Sequence, residues 1–77
     1  MNPLETTAGA TSADELLGAL DEGRRVVVRT EFLGEEHEVT LRRDGDVFYC
    51  DTPTRLHRHE SREEMRTCIE KQGYASE

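Results

Sequence analysis

Two cysteines and two histidines carry the side chains in this sequence that are best suited to metal binding or nucleophilic catalysis. They are Cys50, His57, His59 and Cys68. Zinc prefers four such donors in a tetrahedron, often presented as closely spaced pairs. The two cysteines are far apart in sequence, and only His57 and His59 have the alternating spacing that puts two side chains on one face of a strand. The pattern favours two buried thiols, with a zinc site at these four residues as the alternative.

Catalysis by a cysteine–histidine pair requires an activated thiolate, a base within hydrogen-bonding distance and a group that orients the base. Cys50 falls in a predicted apolar row, where burial raises the pKa of a thiol. The sequence has no nucleophile elbow, no glycine-rich phosphate loop and no metal-binding helix motif. We therefore expect a protein that is not an enzyme and that uses no cofactor.

The elements that would position these side chains centre on residues 24–51, which are typical of three antiparallel strands. The pair Asp44-Gly45 suits a type I′ turn and predicts that Leu41 lies opposite Phe48. The other hairpin is predicted to turn through a four-residue loop over residues 33–36. Both hairpins then place their apolar residues on one inward face, as strand alternation requires.

Two helices are predicted on either side of these strands. Ser12 with Glu15, and Ser61 with Glu64, match the capping box that starts a helix. Glycines that suit helix ends follow at Gly23 and Gly73. The order α-β-β-β-α predicts an α+β fold in two layers, an antiparallel three-stranded meander with both helices on one face.

The 77 residues are predicted to form one domain over residues 12–74, with a disordered tail at residues 1–11 and a short tail at residues 75–77. An alternative adds a short strand at residues 54–58. In that strand, Leu56 would point into the core and His57 would point out.

Acidic residues dominate the charge, with 17 Asp and Glu against 10 Lys and Arg, for a net charge of −7. A large net negative charge favours solubility, and concentrated salt would screen its self-repulsion. No apolar run could span a membrane, and no signal peptide is recognisable, so we expect a cytoplasmic protein without a membrane partner.

Two features of the sequence are a single lysine, Lys71, among many carboxylates, and the run FYCDTPTRLHRHESREEMRTCIEKQGY at residues 48–74. In both features the sequence resembles small uncharacterised acidic proteins of haloarchaea. This resemblance implies a halophilic origin, and the alternative is an ordinary acidic protein from a GC-rich genome. The resemblance brings no active site with it.

The outward face of the predicted strands is the best candidate for a binding surface. It mixes apolar residues with arginine and tyrosine, which are favoured at protein interfaces. These residues are Val27, Arg29, Arg42, Val47 and Tyr49. Because the first and last strands of a three-stranded sheet are both edges, strand addition is a further possibility. We expect the protein to bind a protein partner or a second copy of itself.

A basic segment at residues 55–62 supports an alternative function, the binding of nucleic acid. Its candidate contacts are Arg55, His57, Arg58, His59 and Arg62. The guanidinium group of arginine suits phosphate recognition. The net charge of the whole chain opposes this role, so it is the second of the two functions that we consider.

Overall fold

The computed structural model describes residues 2–76, and only the backbone of Phe32. In chain order the elements are β1 (Leu4–Thr7), α1 (Ala13–Asp21), β2 (Val26–Phe32), β3 (Glu35–Asp44), β4 (Val47–Asp51), β5 (Leu56–His59) and α2 (Arg62–Gln72). The strands form one sheet in the order β1-β2-β3-β4-β5. Strand β1 is parallel to β2, and the other neighbours are antiparallel. The predicted α+β class is confirmed.

The predicted count of three strands is wrong, because β1 and β5 flank the three that the sequence indicated. Strand β1 lies inside the predicted disordered tail. The N–H of Leu4 donates to the carbonyl oxygen of Arg25 at 2.8 Å, and the N–H of Ala8 donates to Arg29 at 2.8 Å. Leu4 also packs against the core. A strand of four residues with one apolar side chain carries too little periodicity to be recognised without its partner.

The predicted tail at residues 75–77 is also held in place over the part that is described. The N–H of Ser76 donates to the carbonyl oxygen of Thr11 at 2.8 Å, and Ala75 packs against the core. Met1 and Glu77 lie outside the described residues. The ordered domain therefore extends beyond residues 12–74 in both directions.

Both hairpins turn differently from the prediction. The β3–β4 turn has Gly45-Asp46 at its centre, so Leu41 pairs with Cys50 and not with Phe48. Gly45 has a φ of 62°, and Asp46 does not have a positive φ. Positive φ at the first central residue alone is the requirement of a type II′ turn, so the predicted type I′ turn at Asp44-Gly45 is wrong.

The type I′ geometry belongs to the β2–β3 hairpin, which turns tightly over Leu33-Gly34 with φ values of 53° and 78°. This replaces the predicted four-residue loop and pairs Val39 with Val28. Both registers are shifted by two residues relative to the prediction. Because two is the period of a strand, the shift leaves the described side chains of these three strands on their predicted faces, and the side chain of Phe32, also predicted to point inward, lies outside what the structure describes.

The helix starts follow the sequence prediction. The Ser12 hydroxyl accepts from the N–H of Glu15 at 3.2 Å, and the Ser61 hydroxyl accepts from the N–H of Glu64 at 3.1 Å. Helix α2 ends at Gly73, which has a φ of 75°. The serine caps of both helices and the glycine stop of α2 are therefore confirmed.

The core lies between the helices and the inner face of the sheet. Helix α1 contacts β2 and β3, whereas α2 contacts β4, β5 and α1. The largest fully buried side chains come from both layers: Leu16, Leu17, Leu20, Val26, Val28, Leu41, Cys50, Met65 and Ile69. Within residues 2–76, neither helix is long and apolar enough to cross a membrane.

Candidate functional site

The outer sheet face is the side of the sheet that points away from both helices. Alternation from the buried Val26, Val28, Leu41 and Cys50 assigns the side chains to it. Its members are Glu5 and Thr7 on β1; Val27, Arg29 and Glu31 on β2; Glu36, Glu38, Thr40, Arg42 and Asp44 on β3; Val47, Tyr49 and Asp51 on β4; and Leu56 and Arg58 on β5. All five predicted interface residues lie on this face.

One row of the outer sheet face carries tyrosine between two arginines. Tyr49 pairs with Arg42 on one side and with Arg58 on the other. The guanidinium carbon of Arg42 lies 4.3 Å from the centroid of the Tyr49 ring, which is a cation–π contact. The predicted register placed Tyr49 beside Thr40 and Arg42 beside Val47, and the observed pairing corrects both neighbours.

Arg29 is held by two carboxylates on its neighbouring strands. Its Nη2 atom lies 3.2 Å from Glu5 Oε1, and its Nε atom lies 3.5 Å from Glu38 Oε2. The Arg29 side chain is about half exposed. Of the predicted interface residues, Arg29 is therefore already neutralised within the chain.

The apolar members of the outer sheet face are only partly covered. Val27, Val47 and Tyr49 are half-buried by their neighbours on the sheet, and Leu56 is 55% exposed. The prediction that Leu56 points inward and His57 outward is wrong, since Leu56 pairs with the outward Asp51 and His57 pairs with the inward Cys50. An exposed leucine at the edge strand extends the apolar part of this face.

The sheet edges also differ from the prediction. Strands β2 and β4, which a three-stranded meander would leave at its edges, lie inside the sheet. The edges are β1 and β5. Strand addition would therefore take place beside Leu4–Thr7 or Leu56–His59.

The predicted nucleic-acid contacts at residues 55–62 do not form a single patch. His57 and His59 face the inner side of β5, whereas Arg58 faces the outer side. Arg55 lies in the turn before β5, where its N–H donates to the Thr52 hydroxyl at 2.9 Å. The fifth contact, Arg62, binds Asp21 through Nε at 3.1 Å and so joins the two helices.

The four candidate metal ligands are split between the core and the edge of the sheet. Cys50 and Cys68 are buried. The rings of His57 and His59 are parallel, with centroids 6.4 Å apart, and His59 Nε2 is buried without a hydrogen-bond partner among the described atoms. Within residues 2–76, no group of three or more His, Cys, Asp or Glu side chains is arranged to hold a metal ion.

Burial makes both thiols poor nucleophiles. Desolvation raises the pKa of Cys50 to about 12, and the neighbouring Cys68 thiol adds to the rise. Burial also raises the pKa of Cys68 and of Tyr74, whose hydroxyl interacts with Cys50. At neutral pH these groups are protonated, so the arrangement supplies no activated thiolate.

A groove of about 520 Å³ adjoins this buried cluster at the C-terminal end of α2. Its lining includes His37 on β3, Arg55 in the β4–β5 turn, His57 on β5, and Gln72 and Tyr74 at the end of α2. These groups supply hydrogen-bond donors, Arg55 supplies positive charge, and Glu31 in the same lining supplies negative charge. No sequence pattern predicts this groove, because its walls come from segments that meet only in the folded chain.

Comparison with known proteins identifies a family for this chain, but that family is one of unknown function. Neither the curated proteins nor the solved structures contain a match to this chain. A model of one protein family matches residues 1–77, the whole sequence. The chain therefore belongs to the family of unknown function DUF8001.

Proposed function

We propose that this protein is a non-enzymatic binding module that contacts another protein chain through its outer sheet face. The observation that carries the proposal is the row Arg42–Tyr49–Arg58 on a sheet face that neither helix covers. Tyrosine and arginine are the residues that most often dominate binding energy at protein interfaces. The half-buried Val27 and Val47 and the exposed Leu56 supply apolar area beside this row.

The absence of an enzymatic role is part of the same proposal. It is supported by the raised pKa values of the two buried thiols, Cys50 and Cys68, neither of which is an activated nucleophile at neutral pH. We expect the protein to act in the cytoplasm and without a cofactor.

The experiment compares association of the parent chain with that of two variants, Val27→Glu and Tyr49→Ala. Association is measured by sedimentation of the pure protein and by affinity capture from a lysate of the source cells. Both variants should remain folded by circular dichroism and lose association, because one buries a charge at the contact and the other removes the central ring.

The matched control is Lys71→Glu on the exposed side of α2, which should associate like the parent. Capture of a protein counts in favour of the proposal only if the Val27 and Tyr49 variants lose it. If both variants associate as the parent does in both assays, the outer sheet face is not the contact.

Nucleic-acid binding through residues 55–62 is the weaker function, because those side chains point in different directions. It has its own test. Binding of a labelled oligonucleotide should weaken steeply with salt and should fall in Arg55→Ala and Arg58→Ala. Equal binding by the parent and both variants removes residues 55–62 as a nucleic-acid site.

A further inference from the structure

The inner face of the sheet changes from apolar to polar beside the C-terminal end of α2. Under the helices its side chains are apolar and buried, as Val28 is. Farther along the same strands, alternation directs Thr30 on β2 and His37 on β3 inward, and these two residues pair with each other. His57 faces the same side on β5. Polar side chains therefore replace the core where the groove of about 520 Å³ lies.

This groove has the size and the mixed lining of a small-molecule site. Pockets for small ligands usually enclose about 300–1,000 Å³ and combine apolar surface with a few polar groups that fix the orientation of the ligand. Val39 and Tyr74 supply buried apolar surface in the lining, and Pro53 adds to it at the β4–β5 turn. Arg55 and His57 supply polar groups beside them.

Arg55 is held at one end of the groove by its own turn. The Thr52 hydroxyl accepts from the N–H of Arg55 at 2.9 Å and donates to its carbonyl oxygen at 2.9 Å, and the N–H of Thr52 donates to the same oxygen at 2.8 Å. These bonds extend the β4–β5 ladder by one pair, so alternation puts the Arg55 side chain on the same face as His57. The Cα atoms of Arg55 and His57 are then about 7 Å apart at the rise of a strand.

The side chains at this end of the groove have no polar partner in the described chain. Among residues 2–76, the guanidinium group of Arg55 makes no ion pair or hydrogen bond, although those of Arg62 and Arg66 each bind a carboxylate. The ring of His57 stacks on that of His59, with centroids 6.4 Å apart, and makes no hydrogen bond with the same residues. A guanidinium group and an imidazole that both lack partners can donate together to an anionic oxygen.

Two features near the groove oppose an anion, and both are remote from Arg55 or already satisfied. Glu31 lies on β2, three strands away from β5, or about 14 Å at the spacing of strands, which exceeds the Debye length of about 8 Å. The negative end of the α2 dipole acts only over the last turn. Two of the carbonyl oxygens there already accept from the N–H groups of Gly73 and Tyr74, at 3.2 Å and 3.1 Å.

We propose that this groove binds a small molecule that carries a carboxylate or phosphate group, and that Arg55 and His57 hold this group. The rest of the ligand lies over Val39 and Tyr74. The site is on the opposite side of the sheet from the outer sheet face, so it does not depend on the proposed protein contact.

Inorganic phosphate, acetate and benzoate are suitable probes, since benzoate adds an apolar ring to the anionic group that acetate carries. Each is titrated into the whole chain at constant ionic strength and followed by proton–nitrogen correlation NMR. The amide signals of residues 52–57 and 72–74 should shift and saturate, whereas those of Glu5 and Val47 should not move. Benzoate should bind more tightly than acetate, because its ring buries apolar surface in the groove.

Arg55→Gln and Arg58→Gln form a matched pair of variants. Each removes one exposed arginine and the same charge, but Arg58 lies on the outer sheet face. Arg55→Gln should weaken the binding of phosphate and benzoate at least about tenfold, because a charge-assisted hydrogen bond is lost. Arg58→Gln should change it by less than about twofold. His57→Gln should weaken it at least about threefold, and circular dichroism checks that each variant is folded.

Two results overturn the inference. The first is the lack of any saturable shift in residues 52–57 and 72–74 with phosphate and benzoate at concentrations up to about 10 mM. The second is an equal loss of binding in Arg55→Gln and Arg58→Gln, each folded. That result would indicate attraction by the basic segment as a whole and not by a site in the groove. Neither result bears on association through the outer sheet face.

Discussion

The guanidinium group of Arg42 stacks on the ring of Tyr49, its direct cross-strand neighbour on the outer sheet face. The contact joins β3 to β4 on a surface that neither helix covers. A rigid aromatic ring with a pre-positioned arginine loses little side-chain entropy on binding. This pair is therefore both a local stabiliser of the sheet and the centre of the proposed interface.

The Arg42–Tyr49 pair should show a measurable coupling energy. In a double-mutant cycle with Arg42→Ala and Tyr49→Ala, the two losses in unfolding free energy should be non-additive by about 0.5–1 kcal/mol. The matched control is the cycle of Arg58→Ala with Tyr49→Ala, since Arg58 also neighbours Tyr49 but makes no described cation–π contact. Chemical denaturation at low protein concentration provides the values, and equal coupling in the two cycles would contradict the assignment.

Leu33 should be replaceable with a gain in stability. It is 87% exposed and has a φ of 53°, a left-handed conformation that is unfavourable for a leucine. Leu33→Asn should raise the unfolding free energy by about 1 kcal/mol, because asparagine followed by glycine is preferred in a type I′ turn. Leu33→Ala is the control and should gain less. A loss of stability in the asparagine variant would show that the turn has another geometry.

Alkaline pH should destabilise the protein through its buried thiols. The pKa of Cys50 is about 12 in the folded chain against 9.0 without burial, so the folded state keeps a proton that the unfolded state releases. Stability is therefore fully present below pH 9 and is lost as the pH rises towards 12, by at most about 1.4 kcal/mol per pH unit for this group. Urea denaturation across this range measures the slope.

The variant Cys50→Ala isolates the contribution of this thiol to the alkaline slope. It should lower stability at neutral pH by removing buried volume, yet its stability should fall less steeply above pH 9 than that of the parent. Tyr74→Phe should also flatten the slope, since burial raises the pKa of that hydroxyl. Identical slopes in the parent and both variants would contradict the burial of these groups.

The ion pair between Asp14 and Arg66 should make the helix–helix contact sensitive to acid. Arg66 Nη1 donates to Asp14 Oδ1 at 2.7 Å, and this hydrogen bond holds the pKa of Asp14 below its ordinary value of 3.8. The stabilisation is present above that value and is lost as the pH falls through the lowered pKa. Arg66→Gln should thus melt below the parent at pH 7, with a smaller difference in strong acid.

The matched control for this pair is Glu70→Gln, which removes the second carboxylate near Arg66, at 3.6 Å, and leaves Asp14 in place. Its melting temperature should change less than that of Arg66→Gln. A difference between Arg66→Gln and the parent that is constant from neutral to acid pH would show that Asp14 is not the partner that matters.

The first strand should contribute to stability although the sequence suggested a tail there. Leu4 pairs with Val26 and packs against the core, so Leu4→Ala should lower the unfolding free energy by about 1 kcal/mol. Thr7 lies exposed on the same strand, and Thr7→Ala is the control. Equal stability of the Leu4 variant and the parent would mean that β1 does not hold the domain together.

Local signals in the sequence were sufficient for the helices and for the faces of the strands. Ser12 and Ser61 form their caps with residues three positions away, so the information lies within one turn of the chain. The predicted inward and outward faces of the strands are correct although both hairpin turns were predicted wrongly. Each error in register was two residues, and strand alternation has the same period. The alternation of side chains along the strands, which can be seen in the sequence, is therefore sufficient to place the five predicted interface residues on one face.

The tertiary structure alone decided the edges of the sheet and the neighbours on its outer face. Strands β1 and β5 each have four residues, and they become strands only because β2 and β4 offer backbone partners. The same pairings bring Arg58 beside Tyr49, turn His57 inward and separate the basic residues of the 55–62 segment. Backbone pairing between distant segments has no local sequence signature, which is why composition and periodicity could not supply it.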